Sequence, residues 1–254
     1  MSGTGRVGDG HGRLGNVLSS LAVAVGCVLF LGGFAWGAVV YKPYTVPTAS
    51  MTPTVNAGDR VLAERIDGAD VRRGDVVVFT DSVWGDQPMV KRVVGVGGDK
   101  VACCDADGRL TVNGEPVEEP YLQTQSVTGG RAGTPAAQQD FTAVVPKGQV
   151  FLLGDERSTS LDSRVHLEDP GQGSVPLSAV QARLDAVAWP SQSLIERPES
   201  FAGLPGGISA AGPLTLQLGA VVVGVVLILG GAAYSTIAAR VARRGRTAGP
   251  ADAR

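Results

Sequence analysis

Three segments of this 254-residue chain gather side chains able to cleave a polar bond. The first reads Pro47-Thr48-Ala49-Ser50-Met51-Thr52-Pro53-Thr54 and offers a series of hydroxyls. The second, Met89-Val90-Lys91-Arg92-Val93-Val94-Gly95-Val96-Gly97-Gly98-Asp99, places a lysine in an otherwise apolar run. The third, from Gly154-Asp155-Glu156-Arg157 through Ser160-Leu161-Asp162-Ser163-Arg164, is a dense polar stretch directly after Val150-Phe151-Leu152-Leu153. A serine hydroxyl becomes a nucleophile only when a base takes its proton. Histidine is the usual base, and between the two long apolar stretches of the chain only His166 is present. A lysine can replace it if its amine is neutral, but an ordinary lysine pKa of about 10.4 leaves it charged at neutral pH. Burial in apolar surroundings lowers that value by up to about 3–5 units. Of the four lysines between residues 42 and 213 (Lys42, Lys91, Lys100 and Lys147), Lys91 alone lies in a strongly apolar strand. The residues by themselves leave two readings open, a general base for Ser50 or an edge-strand lysine that discourages aggregation.

The elements that must position these groups divide the chain into five parts. No charged residue occurs from Val17 to Tyr41, and a second uncharged stretch runs from Leu214 to Ala239. Each exceeds the roughly 20 apolar residues needed to cross a bilayer, and the first is longer than the roughly 7–15 apolar residues of a cleaved signal peptide. Arg6 and Arg13 precede the first stretch; Arg240, Arg243, Arg244 and Arg246 follow the second. Positive flanks stay on the cytoplasmic side. The expected layout is therefore a cytoplasmic tail (1–16), a transmembrane helix (17–41), an extracytoplasmic domain (42–213), a second transmembrane helix (214–239) and a basic cytoplasmic tail (240–254). Ser50 comes nine residues after the first stretch ends, which limits it to roughly 30 Å from the membrane exit.

The middle region patterns as short valine-rich strands. Strands are expected at Arg60–Arg65, Val76–Phe79, Met89–Val96, Lys100–Ala102, Leu110–Val112, Val150–Leu153 and Leu184–Trp189. Asp107-Gly108 and Asn113-Gly114 read as turns around the Leu110–Val112 strand. No amphipathic helix of 12 or more residues is expected, and Gln123–Gln139, rich in Gly, Thr, Gln and Ala, reads as an exposed loop. The fold class is thus mainly β, an antiparallel sheet domain flanked by two transmembrane α-helices. Residues 41–213 hold 15 Lys+Arg against 22 Asp+Glu, a balance of −7, which argues against nucleic acid as a partner because phosphate binding needs a basic face. Three cysteines and two histidines supply no structural zinc site of the usual spacing. Adjacent Cys103 and Cys104 permit a vicinal disulfide or two free thiols.

In their order and in their place between two membrane stretches, the three segments resemble the type I signal peptidase family over roughly Tyr44 to Pro190. Ser-Met-x-Pro alone is a short pattern. Joined to Lys-Arg-Val-Val-Gly-Val-Gly-Gly-Asp and Gly-Asp-x-Arg-x-x-Ser-x-Asp-Ser-Arg it is specific, and the second membrane stretch resembles forms in some high-GC Gram-positive bacteria. The resemblance implies Ser50 as nucleophile, Lys91 as its general base, and Thr48 with the Ser50 amide as oxyanion donors. Ser160 would orient the lysine amine, Asp162 and Arg164 would brace the site as an ion pair, and Asp155 would head that motif. It implies no cofactor and no metal. The implied substrates are secretory preproteins with small residues at the −3 and −1 positions, cut at the plasma membrane, in contact with the lipid bilayer and near the export translocon. One position departs from the pattern, since Glu156 stands where the family usually has asparagine. Met51 is expected to pack at the strand or the membrane-facing rim. Rival readings are a Ser/Lys self-cleaving repressor-like protease, a Ser50–His166 pair, and a catalytically silent membrane-anchored domain that binds extended peptides.

Overall fold

The computed structural model describes residues 10–122 and 139–247, with side chains over 15–122 and 139–240. All but the last residue of the expected Gln123–Gln139 loop lie outside that range. Helix α1 (Gly10–Val40) is followed by β1 (Tyr41–Thr45), β2 (Arg60–Arg65), β3 (Val76–Asp81) and β4 (Gly85–Val96). Next come β5 (Lys100–Cys103), β6 (Thr111–Val112), β7 (Glu115–Pro116), β8 (Phe141–Val144) and β9 (Gln149–Leu153). The order ends with β10 (Val175–Pro176), β11 (Val180–Trp189), β12 (Ser193–Leu194) and α2 (Leu214–Thr247). Every named pairing is antiparallel. The larger sheet runs β1-β2-β11-β3-β4-β9-β10, with β12 on β11, and the smaller runs β7-β6-β5-β8. Among the described residues between the two long helices, helical geometry is confined to short 3-10 turns.

The larger sheet is apolar on both faces, which explains why its strands read as valine runs rather than alternating polar and apolar positions. On β3, Val76 and Val78 enter one core with Met51, Val55, Val61 and Leu184, while Val77 and Phe79 enter another with Val93, Val150 and Leu152. On β9 the same alternation sends Phe151 and Leu153 toward the smaller sheet, where they join Val101, Leu110, Val112 and Phe141. The turn between β6 and β7 is the expected Asn-Gly pair, with positive φ at both Asn113 (56°) and Gly114 (87°). Strands β1 and β8 lie outside the strands expected from sequence. Lys42 and Pro43 mask β1, and β8 alternates buried Phe141 and Ala143 with exposed Thr142 and Val144 over only four residues. Strands β4 and β11 also start earlier than expected, because neighbouring strands extend pairing into their polar ends. Cys103 and Cys104 are joined as a vicinal disulfide.

The two helices form a separate compact unit from residues 40–212. Each is long and apolar enough to cross a membrane, over Gly15–Val40 and Leu214–Arg240. They meet through small residues. A Cβ on Gly26 would lie 2.8 Å from the Gly224 carbonyl, and one on Gly224 equally close to the Gly26 carbonyl. Ser19 Oγ adds a hydrogen bond to the Gly231 carbonyl at 2.7 Å. Such contacts suit helices in lipid, where apolar tails provide no hydrophobic drive for association and close backbone approach supplies the attraction.

Candidate active site

Ser50 lies in a turn whose next residue is an anchor. Met51 is 0 % exposed and sits in the core with Val46 and Val55, and its carbonyl accepts the Val55 N–H at 2.9 Å. Burying a methionine side chain fully is worth about 1.5–3 kcal/mol, so this residue pins the serine turn. Of the two places expected for Met51, the strand or the membrane-facing rim, the rim is not where it lies: its side chain packs in the core against residues of β2, β3 and β11.

Lys91 is supplied by β4. The pairing of β4 with β9 reaches Arg92 opposite Leu153, where β9 ends, while Lys91 remains paired with Val77 of β3. Beyond Leu153 the polar run turns away, and Lys91 Nζ donates to Ser50 Oγ at 2.8 Å. The lysine is 4 % exposed. Burial lowers its amine below the ordinary 10.5; the Asp162 and Asp155 carboxylates oppose that fall and the Arg164 charge reinforces it. A neutral amine within hydrogen-bond reach of a serine hydroxyl is the arrangement a general base requires. Thr48 Oγ1 lies 3.3 Å from Ser50 Oγ on the exposed side of the turn. His166 is placed differently. Its Nδ1 lies 2.8 Å from Asp169 Oδ2 and its ring stacks on Trp84 at 4.8 Å between centroids.

The polar run closes the site from beneath. Asp162 receives Arg164 through both guanidinium branches, Nε at 2.8 Å and Nη2 at 2.7 Å, and accepts the Gly154 N–H at 3.0 Å. Asp162 is 0 % exposed, so the pair is no loose surface contact. Asp155 binds Arg92 in the same two-pronged way, at 2.9 and 2.7 Å, and takes a hydrogen bond from Thr54 Oγ1 at 2.5 Å. The backbone N–H of Glu156 donates to the Ser50 carbonyl at 3.1 Å, while its side chain accepts from Ser158 Oγ. The Glu156 contact with Ser50 is therefore made by a backbone group that any residue there could offer. Ser160 differs from expectation. Its hydroxyl is buried next to Gly154 and has no hydrogen-bond partner among the described residues, so the expected bond to the lysine amine is not made in this arrangement.

Sequence reasoning passed over five contributors: Thr54, Arg92, Glu119, Tyr121 and Arg157. Arg92 sat in view beside Lys91, as an arginine in a valine strand, and Arg157 lay inside the recognised run. Glu119 and Tyr121 come from an irregular stretch with no periodicity to single them out.

The profile of the family described as "Signal peptidase, peptidase S26" matches residues 15–189. Similar chains include a probable signal peptidase I of Mycobacterium leprae, 31 % identical over 201 residues, which cover 59 % of this chain and 69 % of the relative. The signal peptidase I of Mycobacterium tuberculosis is 31 % identical over 194 residues, 59 % of this chain and 66 % of its own length. That of Bacillus caldolyticus is 34 % identical over 157 residues, 59 % and 81 % respectively. A crystal structure of a signal peptidase I from Enterococcus faecalis V583 covers 45 % of this chain and 96 % of its own, at 31 % identity and a TM-score of 0.37. The chain belongs to the S26 signal peptidase family. Membership makes it a serine protease and a signal peptidase rather than a silent peptide-binding domain, and with its two apolar helices it is membrane-anchored.

Proposed function

We propose that Ser50 and Lys91 form the catalytic dyad and that the enzyme removes signal peptides from exported preproteins after small residues. The observation that carries this reading is the 2.8 Å approach of a buried Lys91 amine to the Ser50 hydroxyl. Neutral Lys91 takes the Ser50 proton as Oγ attacks the scissile carbonyl. The oxyanion then settles against the Thr48 hydroxyl and the Ser50 N–H. The lysine ammonium returns its proton to the leaving amine, and water activated by the same amine cleaves the acyl-enzyme. Asp162–Arg164 and Asp155–Arg92 brace the site, and the role of Ser160 in orienting the lysine rests on the family resemblance alone. The substrate lies as an extended strand, its −3 and −1 side chains in shallow pockets.

The arginine flanks favour both termini in the cytoplasm, with residues 42–213 on the outer face of the plasma membrane. There the bilayer and the export translocon would be neighbours. Cleavage of a preprotein ending its signal in Ala-x-Ala, in detergent, tests the assignment. Wild-type protein should cut after that alanine, and folded Ser50→Ala and Lys91→Ala should not. Persistent cutting by Lys91→Ala would move the base elsewhere.

A further inference from the structure

The dipeptide Gly154-Asp155 is gripped at three points, two of them directly by arginines and one by an aspartate that a third arginine binds. At its amide, the Gly154 N–H is held by Asp162, which Arg164 binds in turn. At its side chain, Asp155 is held by Arg92 and Thr54. At its carbonyl, Gly154 accepts from Arg157 Nε at 2.9 Å. The first two grips come from within the recognised motifs. The third depends on a residue far from them. Arg157 is itself bound through Nη1 and Nη2 to the two carboxylate oxygens of Glu119, at 2.9 and 2.6 Å, with both side chains almost fully buried.

Glu119 is also tied to Arg92. The Tyr121 hydroxyl donates to Glu119, and the Arg92 guanidinium lies 3.9 Å from the centre of the Tyr121 ring. Burial, then the Glu119 charge, hold the Tyr121 phenol well above its ordinary pKa, so it stays a donor. Arg92 follows Lys91 on β4, and Thr54 follows Ser50 by four residues. The gripped dipeptide has no slack. A Cβ on Gly154 would lie 2.5 Å from the Ser50 carbonyl and collide with the Ser160 side chain. The same stretch is bonded to the nucleophile's own backbone, since the Glu156 N–H donates to the Ser50 carbonyl at 3.1 Å.

We infer that Glu119 is a positioning residue for the reaction, acting through Arg157 and Tyr121 to hold the Gly154-Asp155 floor against Ser50. The inference rests on the Ser50/Lys91 reading above. Displacing reacting groups by about 1 Å costs on the order of a hundredfold in rate. Glu119→Gln keeps the shape while removing the charge, so kcat per folded molecule should fall about ten- to hundredfold with KM little changed. The leading charges on the Lys91 amine are those of Asp162, Asp155 and Arg164, and the pH at which activity rises should stay at its wild-type position.

The test is steady-state cleavage of the Ala-x-Ala preprotein by the full chain in detergent, with the folded fraction read by circular dichroism at the assay temperature. Ser50→Ala, Glu119→Gln, Arg157→Gln and the Glu119→Gln/Arg157→Gln double variant are compared. The double variant should be no worse than Arg157→Gln, because both changes release the same grip. Wild-type kcat in folded Glu119→Gln, or full additivity in the double variant, overturns the inference while leaving the dyad intact. Activity that survives Ser50→Ala overturns the dyad reading instead. If Glu119→Gln does not fold, Tyr121→Phe decides, with a several-fold lower kcat expected and an unchanged kcat overturning the proposal.

Discussion

Lys91 and Arg92 are adjacent on β4, both are buried, and both are cations in water, yet their surroundings treat them oppositely. Successive strand residues face opposite sides of a sheet. On one side Lys91 meets a hydroxyl, Ser50 Oγ, and among the described residues makes no hydrogen bond or ion pair with a carboxylate. Burial lowers its amine, and the carboxylates of Asp162 and Asp155 oppose this only from a distance. On the other side Arg92 meets Asp155 head-on through two hydrogen bonds, backed by Thr54 and the Tyr121 ring. One position yields an amine able to lose its proton, the other a guanidinium that stays charged as part of the frame. The difference lies in whether a carboxylate is in contact, since both are almost equally shut off from water.

Three changes test that contrast. The largest effect is expected at Lys91→Met, which removes the base and should lower kcat/KM by about 10²–10⁴-fold, the usual contribution of a positioned general base. The same change should make the protein more stable, because a depressed lysine pKa means that burying the amine is costly. Between the folded-state pKa and the ordinary value of 10.5 the unfolded chain holds the proton more tightly, so wild-type stability rises with pH across that window. Thermal melts over that range should slope upward in wild type and less in Lys91→Met; equal slopes would place no titrating amine at Lys91. Activity should rise with pH over the same limb, beginning below 10.5.

Asp155→Asn should act on the other side of the strand. It leaves Arg92 buried without its carboxylate, and breaking a buried pair at one partner costs about 3–5 kcal/mol. Denaturant unfolding measures this, and a loss below about 1 kcal/mol, the range of a surface pair, would erase the distinction between the two cations. Thr48→Val removes a hydroxyl from the Ser50 side without touching either cation. The loss of one oxyanion donor corresponds to about 10²–10³ in kcat, with stability unchanged because Thr48 is exposed. A kinetic trace showing wild-type kcat would assign the oxyanion to other donors.

Much of this was readable from the chain. Two long uncharged stretches with arginine flanks announce membrane helices, since bilayer thickness and charge asymmetry act on local sequence. Valine runs and the Asn113-Gly114 turn announce the sheets, and Lys91 stands out because a charged residue in an apolar strand is conspicuous. Strands β1 and β8 escaped because pairing with neighbours, not composition, makes them strands. Met51 was readable as apolar but not as the anchor of the serine turn. Glu119 and Tyr121 carried no local signal, because their importance is created by a buried Arg157 some 38 residues away from Glu119 in sequence. Sequence alone determined the residue types, the membrane stretches and the order of the motifs, all of which depend on local composition and spacing. Tertiary structure decided which carboxylate touches which cation, and so which of two neighbouring residues can give up a proton, because desolvation and contact arise only when distant segments are packed together.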